Sequence, residues 1–375
     1  RARAETLLEA LLAQSGESPA SLALAGWSLA EGVSVRPDLR AAVKERLVSA
    51  LDRVKVPGAF GLLAGALLTA DPAAARDWLR AALSSGEAGL ARRALSLLPE
   101  LEAQALSEFI PLLARLVRQE QAGSAVRAAA ALALARLHPD LADSAVWDAL
   151  RDARQPANDP RLKAAATWAW CELGRYAELG LARVPAGEFL MGSDKAKDNL
   201  AYDDELPQHR LYLPTFYLAK HPVTVAEWRA DVQASRRNVN ANSLEGPENP
   251  PVRFVTWFEA LAYAQWYGFS LPSEAEWEKA ARGTDGLIYP WGDGWSSARC
   301  NTLESRIEKT TPVGTYSPLG DSPYGCADMV GNVWEWTRSK YQPYPYRPED
   351  GREDLQFSGA RVLRGGSFVV DHWGA

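Results

Sequence analysis

The 375-residue sequence predicts two domains of different class, an all-α domain over residues 1–178 and an α+β domain over residues 179–375. Two observations predict this division. Up to about residue 178 the sequence is rich in Ala, Leu and Arg and has helical periodicity. From Ala182 onward Trp, Tyr, Pro and Gly become frequent and strand-like alternation begins. Each half is long enough to bury a hydrophobic core of its own.

The helical half consists of short amphipathic segments that are separated by helix breakers. Apolar residues recur at positions i, i+3, i+4 and i+7 in "AETLLEALLAQS", "DLRAAVKERLVSALDRV", "AAARDWLRAAL", "LARRALSLL", "FIPLLARLVRQ" and "SAVRAAAALALARL". Pro57, Pro72, Pro99 and Pro139 lie between such segments. Short helices with brief breaks are typical of stacked antiparallel pairs, so we expect a HEAT-like repeat domain that serves as a scaffold or docking surface.

The second half shows strand alternation and three helix-start signals. The segment "LARVPAGEFLMGS" alternates like a strand. In a capping box, a Ser or Thr side chain accepts a bond from an amide three residues on, and a Glu side chain returns the bond. Such pairs are Thr224 with Glu227, Thr256 with Glu259, and Ser273 with Glu276. Short strands and long polar loops surround these helices, which predicts a loop-rich α+β domain.

Composition and charge exclude several classes of function. The net charge of −6 argues against a nucleic-acid partner, since binding to the phosphate backbone needs a basic surface. No run approaches the roughly 18–20 apolar residues of a membrane span. Cys171, Cys300 and Cys326 are sparse and lack metal-site spacing, which favours a reducing, cytoplasmic location. The chain starts at Arg1 rather than Met, so we expect a processed chain or part of a longer one.

A series of motifs runs through the second half. In chain order they are "VPAGEFLMGS", "LPTFYLAKHPVTVAEW", "PVRFVTWFEALAYAQWYG", "LPSEAEWEKAARG", "YPWGD", "DMVGNVWEW" and "RVLRGGS". In this order they resemble the formylglycine-generating enzyme (sulfatase-modifying factor) domain family over about residues 180–375. The resemblance implies a C-type-lectin-like fold of the formylglycine-generating type with bound calcium. It also implies final strands after the Gly-Gly-Ser segment, which we expect to be missing from these 375 residues.

The loop "DMVGNVWEW" has the groups that calcium prefers. Calcium takes about six to eight oxygen ligands from carboxylates and from carbonyls that an irregular loop can direct inward. Asp328 and Glu335 offer carboxylates, and Gly331 and Val333 offer carbonyls. The resemblance implies that these four positions form a structural calcium site. The alternative is that Asp328 and Glu335 are solvated loop acids.

The resemblance implies a second calcium site that includes Asn301 and Thr302. Its other ligands would come from "ESRIEK", where the acidic loop of the family is shortened. We also expect Trp334 and Trp336, which alternate with Glu335, to face the core and fix the first loop.

The redox chemistry of this family depends on metal ligands that the sequence lacks. The resemblance implies that the oxidising members bind copper through two cysteines, three and eight residues after the Ser of the Gly-Gly-Ser segment. Counted from Ser367, those positions hold Val370 and Ala375. Ergothioneine-type sulfoxide synthases use iron ligands from a His-rich helical partner, whereas the helical half here has one histidine, His138. We therefore expect no copper, no iron and no catalytic activity.

The last segment, "GGSFVVDHWGA", is where we expect a ligand to bind. It resembles the variable proteins of diversity-generating retroelements, which present diversified ligand-binding residues here on a framework that includes Trp373 and Ala375. By that resemblance the ligand-binding set is Phe368, Val369, Val370, Asp371, His372 and Gly374. Mixed apolar and polar side chains suit a recognition surface. The alternative is an ordinary buried strand end.

These observations predict a non-catalytic recognition protein that binds an unidentified protein or other macromolecule through its C-terminal segment. Two alternatives stay open. One is an enzyme, either a formylglycine-generating-type oxidase or a relative that acts on a peptide cysteine. The other is a sensor or scaffold part of a larger intracellular signalling protein.

Overall fold

The computed structural model describes residues 2–14, 18–30, 35–356 and 359–372. It divides the chain into two compact units, Arg1–Ala169 and Trp170–Ala375. This division lies somewhat before the predicted one after residue 178. The intervening residues belong to the second unit, where the Tyr217 hydroxyl donates a hydrogen bond to Glu172 (3.0 Å). Within the described ranges, no helix is both long enough and apolar enough to cross a membrane.

The first unit is helical, as its periodicity predicts. Its helices are α1 (Ala2–Gln14), α2 (Pro19–Ala30), α3 (Pro37–Arg53), α4 (Pro57–Ala70), α5 (Pro72–Ser84), α6 (Ala88–Leu97), α7 (Ala103–Ser107), α8 (Ile110–Arg118), α9 (Gly123–Leu134), α10 (Ser144–Ala153) and α11 (Pro160–Trp170). The predicted breakers Pro57 and Pro72 are the first residues of α4 and α5. At that position a helix needs no amide hydrogen and the fixed φ of proline suits it. These prolines therefore begin helices as well as separating them.

The core of the first unit comes from apolar stripes and from close helix packing. In α3, Leu39, Val43, Leu47 and Leu51 recur every fourth residue and are at most 6% exposed. Helices α2 and α4 are almost wholly apolar. A Cβ atom on Gly26 of α2 would lie 2.9 Å from the Cβ of an alanine in α4, so a larger residue there would push the two helices apart.

The second unit has three two-stranded antiparallel sheets in its described part. Its strands are β1 (Leu181–Val184), β2 (Gly187–Met191), β3 (His209–Leu213), β4 (Phe216–Ala219), β5 (Glu335–Lys340) and β6 (Arg361–Arg364). Strand β1 pairs with β4, β2 with β3, and β5 with β6. The segment predicted as one strand, "LARVPAGEFLMGS", is two strands, because it breaks at Pro185 and the two parts pair with different partners.

The three α-helices of the second unit start at the predicted capping boxes. They are α12 (Val225–Ser235), α13 (Trp257–Trp266) and α14 (Glu274–Arg282). Both bonds of the box are present in each helix. At α14 the Glu276 amide donates to Ser273 Oγ (3.1 Å) and the Ser273 amide donates to the Glu276 carboxylate (2.7 Å). This confirms the predicted helix starts.

Helix α14 positions the strand that leads into the Gly-Gly-Ser segment. Its Trp277 lies in the core with Phe189 and Met191. After β6 the chain passes through Gly365, whose φ is +93° and where a Cβ atom would lie 3.1 Å from the Trp277 ring. A residue with a side chain is strained at this φ and crowded by the indole. Glycine therefore lets the chain turn past Trp277 into residues 367–372.

Candidate functional site

The C-terminal segment, residues 367–372, is a turn that hydrogen-bonds to two neighbouring loops. The Phe368 amide donates to the Asn332 carbonyl (3.2 Å). The Leu303 amide donates to the Val370 carbonyl (2.8 Å). The alternative of a buried strand end is therefore wrong, because the segment pairs with loops and does not continue β6.

The predicted ligand-binding residues share one short surface segment. Val369 is 60% exposed. The partly buried members are Phe368, Val370, Asp371 and His372. Gly374, together with the framework positions Trp373 and Ala375, lies outside the described residues.

His372 is held by a carboxylate and by an aromatic ring. Its amide donates to Glu304 Oε1 (3.0 Å), and its ring Nδ1 lies 2.6 Å from the same oxygen. The imidazole stacks on Trp295 with a centroid distance of 4.7 Å and an interplanar angle of 28°. Partial burial acts to raise the pKa of Glu304, but the bonds from His372 outweigh it and lower that pKa to about 2. Glu304 is therefore an ionised acceptor, and Nδ1 carries the ring proton.

His372 lines a cleft of about 410 Å³ within the second unit. Helix α14 and strand β6 supply its floor, with Trp277 among the lining residues. Exposed aromatic side chains stand at its rim: Tyr202 (53% exposed), Tyr341 (59%) and Trp334 (41%). Acidic residues of the 198–205 loop line one wall. The cleft thus combines aromatic faces, carboxylates and one imidazole.

Buried charges lie beneath this cleft. Glu278 is fully buried and forms ion pairs with Arg282 (2.8 Å) and Arg364. Burial acts to raise the pKa of Glu278, but the two guanidinium groups outweigh it and lower that pKa. Glu274, one turn earlier on α14, accepts a bond from the Tyr344 hydroxyl (3.0 Å) through Oε1. Its buried Oε2 has no hydrogen-bond partner among the described residues, and burial raises its pKa.

The predicted calcium ligands Asp328 and Glu335 are buried near each other. Asp328 is 7% exposed, and Glu335 Oε1 is buried with no hydrogen-bond partner in the described part of the chain. Burial raises the pKa of Glu335 to about 8 although the neighbouring Trp277 indole acts to lower it, and the charge of Asp328 acts in the same direction as burial. The reading of these residues as solvated acids is therefore wrong. Gly331 and Val333 lie between them on one turn, where the Val333 amide donates to the Gly331 carbonyl (2.9 Å). An orphaned carboxylate oxygen beside a second buried acid fits a calcium ion, which stays a prediction.

Asn301 and Thr302 are also buried, but the Asn301 side chain has protein partners. Its amide nitrogen donates to the Lys309 carbonyl (2.9 Å), and its oxygen accepts a bond from the Ser305 hydroxyl (2.9 Å). Because that oxygen is already used, these residues fit a calcium ion less well than the first set. The second calcium site also stays a prediction.

Asn332 connects the three loops of the site. It is fully buried with φ +64°, and its amide donates to the Asn301 carbonyl (2.7 Å). Its side-chain oxygen accepts from the Thr311 amide (3.0 Å), while its carbonyl accepts from Phe368. One side chain and its backbone therefore fix the loop around residue 301, the turn at 328–335 and the C-terminal segment together.

The prediction that Trp334 and Trp336 face the core is wrong. Trp334 is 41% exposed, and Trp336 is partly buried, with its indole N–H donating to the Val255 carbonyl (3.0 Å). The reason is the strand alternation. Thr337 is fully buried and Glu335 directs a buried oxygen inward, so the tryptophans between them take the other face.

The cysteines and histidines do not fit a copper or iron site. Burial raises the pKa of Cys300 to about 12 and that of Cys326 to about 11, which keeps both as thiols. His209 is fixed at both ring nitrogens, by the Pro207 carbonyl (2.9 Å) and by the Tyr346 amide (2.9 Å). In the ranges that the structure describes, no three His, Cys, Asp or Glu residues are grouped to hold a metal ion.

Comparison with protein families identifies the second unit. Residues 176–373, more than half of the chain, match the sulfatase-modifying factor enzyme 1-like domain. The chain belongs to this family. The predicted membership is confirmed, whereas the narrower assignment to retroelement variable proteins finds no support in the family match.

Named enzymes are among the relatives. Hercynine oxygenase of Mycolicibacterium smegmatis is 35% identical over 231 residues, which are 50% of this chain and 54% of that protein. Formylglycine-generating enzyme of Streptomyces coelicolor is 33% identical over 252 residues, 51% of this chain and 79% of the enzyme. Inactive C-alpha-formylglycine-generating enzyme 2 of Bos taurus is 29% identical, over 53% of this chain and 80% of that protein. The chain spans about half the length of the hercynine oxygenases that it matches.

The prediction of a non-catalytic recognition protein is wrong in the light of these relatives. Three relatives at 34–36% identity are named hercynine oxygenase, which is the name of an enzyme. Val370 in place of a cysteine excludes a two-thiolate copper site, but it does not exclude catalysis that uses other groups.

Sequence reasoning missed Trp295 and the buried pair of Glu278 with Arg364, and it placed Glu304 only in the segment expected to supply calcium ligands, not beside His372. Glu304 lies in the shortened loop "ESRIEK", and a charged residue in a loop of altered length is the one signal that points to it. No spacing links it to His372, because the two lie far apart in the sequence and meet through the fold alone.

Proposed function

We propose that this chain carries the substrate-binding domain of an oxygenase-type enzyme, with the cleft beside His372 as the substrate site. The observation that carries the proposal is the cleft itself, which combines a charged floor, an aromatic rim and a His–carboxylate pair. A cavity of about 410 Å³ with a few converging polar groups is typical of a small-molecule site. The oxygenases among the relatives support an oxidising enzyme.

The lining of the cleft suits a small cation or zwitterion. Aromatic faces attract cations, and the exposed rim offers three of them. Glu274 adds a buried carboxylate oxygen without a partner among the described residues. Arg282 and Arg364 are balanced by the two carboxylates of Glu278 and Glu274, since Arg364 lies 3.8 Å from Glu274 Oε1, so this group adds little net charge at this place. Hercynine, the compound in the relatives' name, is a betaine with a quaternary ammonium group, and it is therefore the first ligand to test.

The residues of this chain would bind and orient such a substrate. The indole of Trp334 and the phenol of Tyr341 would cover the cationic end, while Glu274 would accept a bond from a polar group at the floor. In the described part of the chain no three His, Cys, Asp or Glu side chains are grouped to hold a metal that would activate oxygen, so these residues are given a binding role alone.

The proposal is tested by calorimetric titration with hercynine and by oxygen uptake. We expect saturable binding to the wild type, and Trp334→Ala should weaken it by about threefold to thirtyfold, the range that a lost cation–π contact gives. His138→Gln is the matched control, since His138 is an exposed residue of the first unit, and it should bind like the wild type. Oxygen uptake and product mass are then measured with hercynine and added ferrous iron.

The outcomes separate the two parts of the proposal. Binding without oxygen uptake would remove the oxygenase assignment. Oxidation of a cysteine-containing peptide in place of hercynine would favour a peptide-directed oxidase. Absence of both binding and turnover would overturn the proposal as a whole.

We also infer three finer properties. The pair Asp328 and Glu335, with the carbonyls of Gly331 and Val333, would hold a structural calcium ion. The short paired sheets with long loops support the C-type-lectin-like class for the second unit. The succession of short helices supports HEAT-like repeats in the first unit.

A further inference from the structure

We propose that a groove in the helical unit is a docking site for an acidic amphipathic helix of a partner protein. Helix α4 packs against α2, and α6 packs against α9, whereas a groove of about 430 Å³ lies between α4 and α6. The groove belongs to the first unit alone. The proposal therefore does not depend on the cleft of the second unit or on the reaction proposed there.

The rim of the groove carries positive charges that have no carboxylate partner. Lys55, from the turn before α4, and Arg92 and Arg93 of α6 line it. None of the three forms an ion pair with a residue in the described ranges. The buried Nε of Arg93 also lacks a hydrogen-bond partner there. Against these three cations stands one acidic lining residue, Glu100. On a chain with a net charge of −6, this local excess of positive charge favours an acidic partner.

The floor of the groove is apolar and has room for a further element. Phe60 and Leu97 line it and are buried, and Leu68 lines it and is partly buried. Gly61 and Gly65, one turn apart on α4, are lining residues too. A Cβ atom on either glycine would have no neighbour within 4 Å among the described residues.

These two glycines have no packing reason within the helical unit. Glycine destabilises the interior of a helix relative to alanine. Gly26 of α2 has a compensating role, because a Cβ atom there would lie 2.9 Å from the Cβ of Ala66. Gly61 and Gly65 face open space instead. Since small residues let the backbones of two helices come close, this space suits a helix from another chain.

An acidic amphipathic helix matches both the floor and the rim. Its apolar face would pack on Phe60, Leu68 and Leu97, as in other complexes in which a helix lies in a groove. Its carboxylates would reach Lys55 and Arg92 at the rim. The phosphates of a nucleic acid would match the rim charges but would leave the apolar floor uncovered, so a protein helix fits better.

The test uses the full chain and two synthetic peptides of equal length, a leucine–glutamate amphipathic helix and its leucine–lysine counterpart. Fluorescence anisotropy should show saturable binding of the glutamate peptide, weaker at high salt because the rim charges are exposed. The lysine peptide should not bind. In protein labelled with ¹⁵N-glycine, the amide signals of Gly61 and Gly65 should shift as the glutamate peptide binds, which locates it on the floor of the groove.

One pair of variants tests the rim. Lys55→Gln combined with Arg92→Gln should weaken binding of the glutamate peptide by about tenfold, the sum of two exposed ion pairs. The matched control combines Arg151→Gln with Arg161→Gln. It removes the same charge from exposed positions of α10 and α11 outside the groove, and it should bind like the wild type.

A second pair of variants tests the floor. Gly65→Leu should fill the groove and abolish binding, while the melting temperature of the free protein stays the same or rises, because leucine favours a helix more than glycine does. Gly65→Ala adds a single carbon in open space and serves if Gly65→Leu is unfolded. It should weaken binding and should also not lower the melting temperature.

Several results would overturn the proposal. They are no binding of the glutamate peptide, equal binding of the lysine peptide, preference for duplex DNA over the glutamate peptide, undiminished binding by Gly65→Leu, and equal losses in the rim variant and its control. A lower melting temperature in Gly65→Ala would also overturn it, since the glycine would then serve the fold itself. The oxygenase assignment fails separately, because none of these variants should change hercynine binding or oxygen uptake.

Discussion

The two units of this chain are stabilised by different interactions. Among the described residues of the helical unit, Lys163 and Thr167 are the buried polar side chains, and the core is otherwise apolar. The second unit buries a long series of polar and charged groups, among them Glu278, Asp328 and Asn332. Its loops lack the regular hydrogen bonds of helices, so buried side chains must supply partners for their backbone. The first unit is therefore stabilised mainly by apolar contacts, whereas the second also depends on buried polar side chains that are each costly to remove.

This difference explains where the functional side chains lie. A helix places its side chains at fixed intervals, whereas a loop that is fixed from beneath can bring distant residues to one point. His372 and Glu304 meet in this way, since Asn332 holds the loops on which both depend. The polar interior of the second unit is thus a requirement of its site.

The substitution with the largest expected effect is Glu278→Gln, which tests whether buried charges stabilise the second unit. The change removes the carboxylate that Arg282 and Arg364 share and leaves Arg364 only the more distant Glu274 (3.8 Å), and breaking a buried pair in this way costs about 3–5 kcal/mol of unfolding free energy. Urea denaturation followed by tryptophan fluorescence measures the loss. Glu188→Gln, which removes an exposed pair with Arg210 (3.6 Å), is the control and should cost at most about 1 kcal/mol. Equal losses in the two variants would contradict the idea that buried charges stabilise the second unit.

The fold could be predicted from the sequence wherever the signal is local. Periodicity predicts helices such as α3, and the three capping boxes predict the starts of α12, α13 and α14. Helices α2 and α4 escape this reasoning because they are apolar on nearly every side, which leaves no period to detect. The break at Pro185 was not predicted, since the alternation continues across it while the strand partner changes.

The site could be predicted only in part, because only some of its residues lie close together in the sequence. Asp328 and Glu335 are close in sequence, so one loop motif indicates both. The Glu304–His372 pair depends on two segments that meet through tertiary contacts, and no local pattern encodes that meeting. The wrong prediction of a non-catalytic protein has a related cause. The absence of cysteines from the C-terminal segment excludes a copper site of two thiolates. That segment alone does not show which other residues line the cleft beside His372.

Removal of calcium by a chelator should destabilise the second unit alone, by less than the Glu278→Gln substitution does. If calcium lies between Asp328 and Glu335, its removal should lower the melting temperature of the second unit and leave the helical unit unchanged. At a calcium concentration 100 times the Kd, the bound ion contributes about 2.7 kcal/mol. Differential scanning calorimetry with and without excess chelator measures this, and Asp328→Asn should make the protein insensitive to the chelator. An identical transition in both conditions would exclude the calcium site.

The smallest expected effect lies in the helical unit and depends on a local helix cap. Asp71 precedes α5, and its Oδ1 accepts a bond from the Ala74 amide (2.9 Å), which together with Lys44 lowers the pKa of Asp71 against the opposing effect of burial. A lowered pKa stabilises the folded state above the unfolded value of about 4, and this contribution is lost as pH falls through the folded value. Asp71→Ala should therefore cost about 1 kcal/mol at neutral pH, with the gap to the wild type narrowing below about pH 4. Asp71→Asn keeps a capping oxygen without the charge, so its stability relative to Asp71→Ala should not depend on pH. A gap between wild type and Asp71→Ala that stays constant down to low pH would show that the carboxylate charge contributes nothing, and that the hydrogen bond from the Ala74 amide, which a protonated Asp71 can also accept, accounts for the gap.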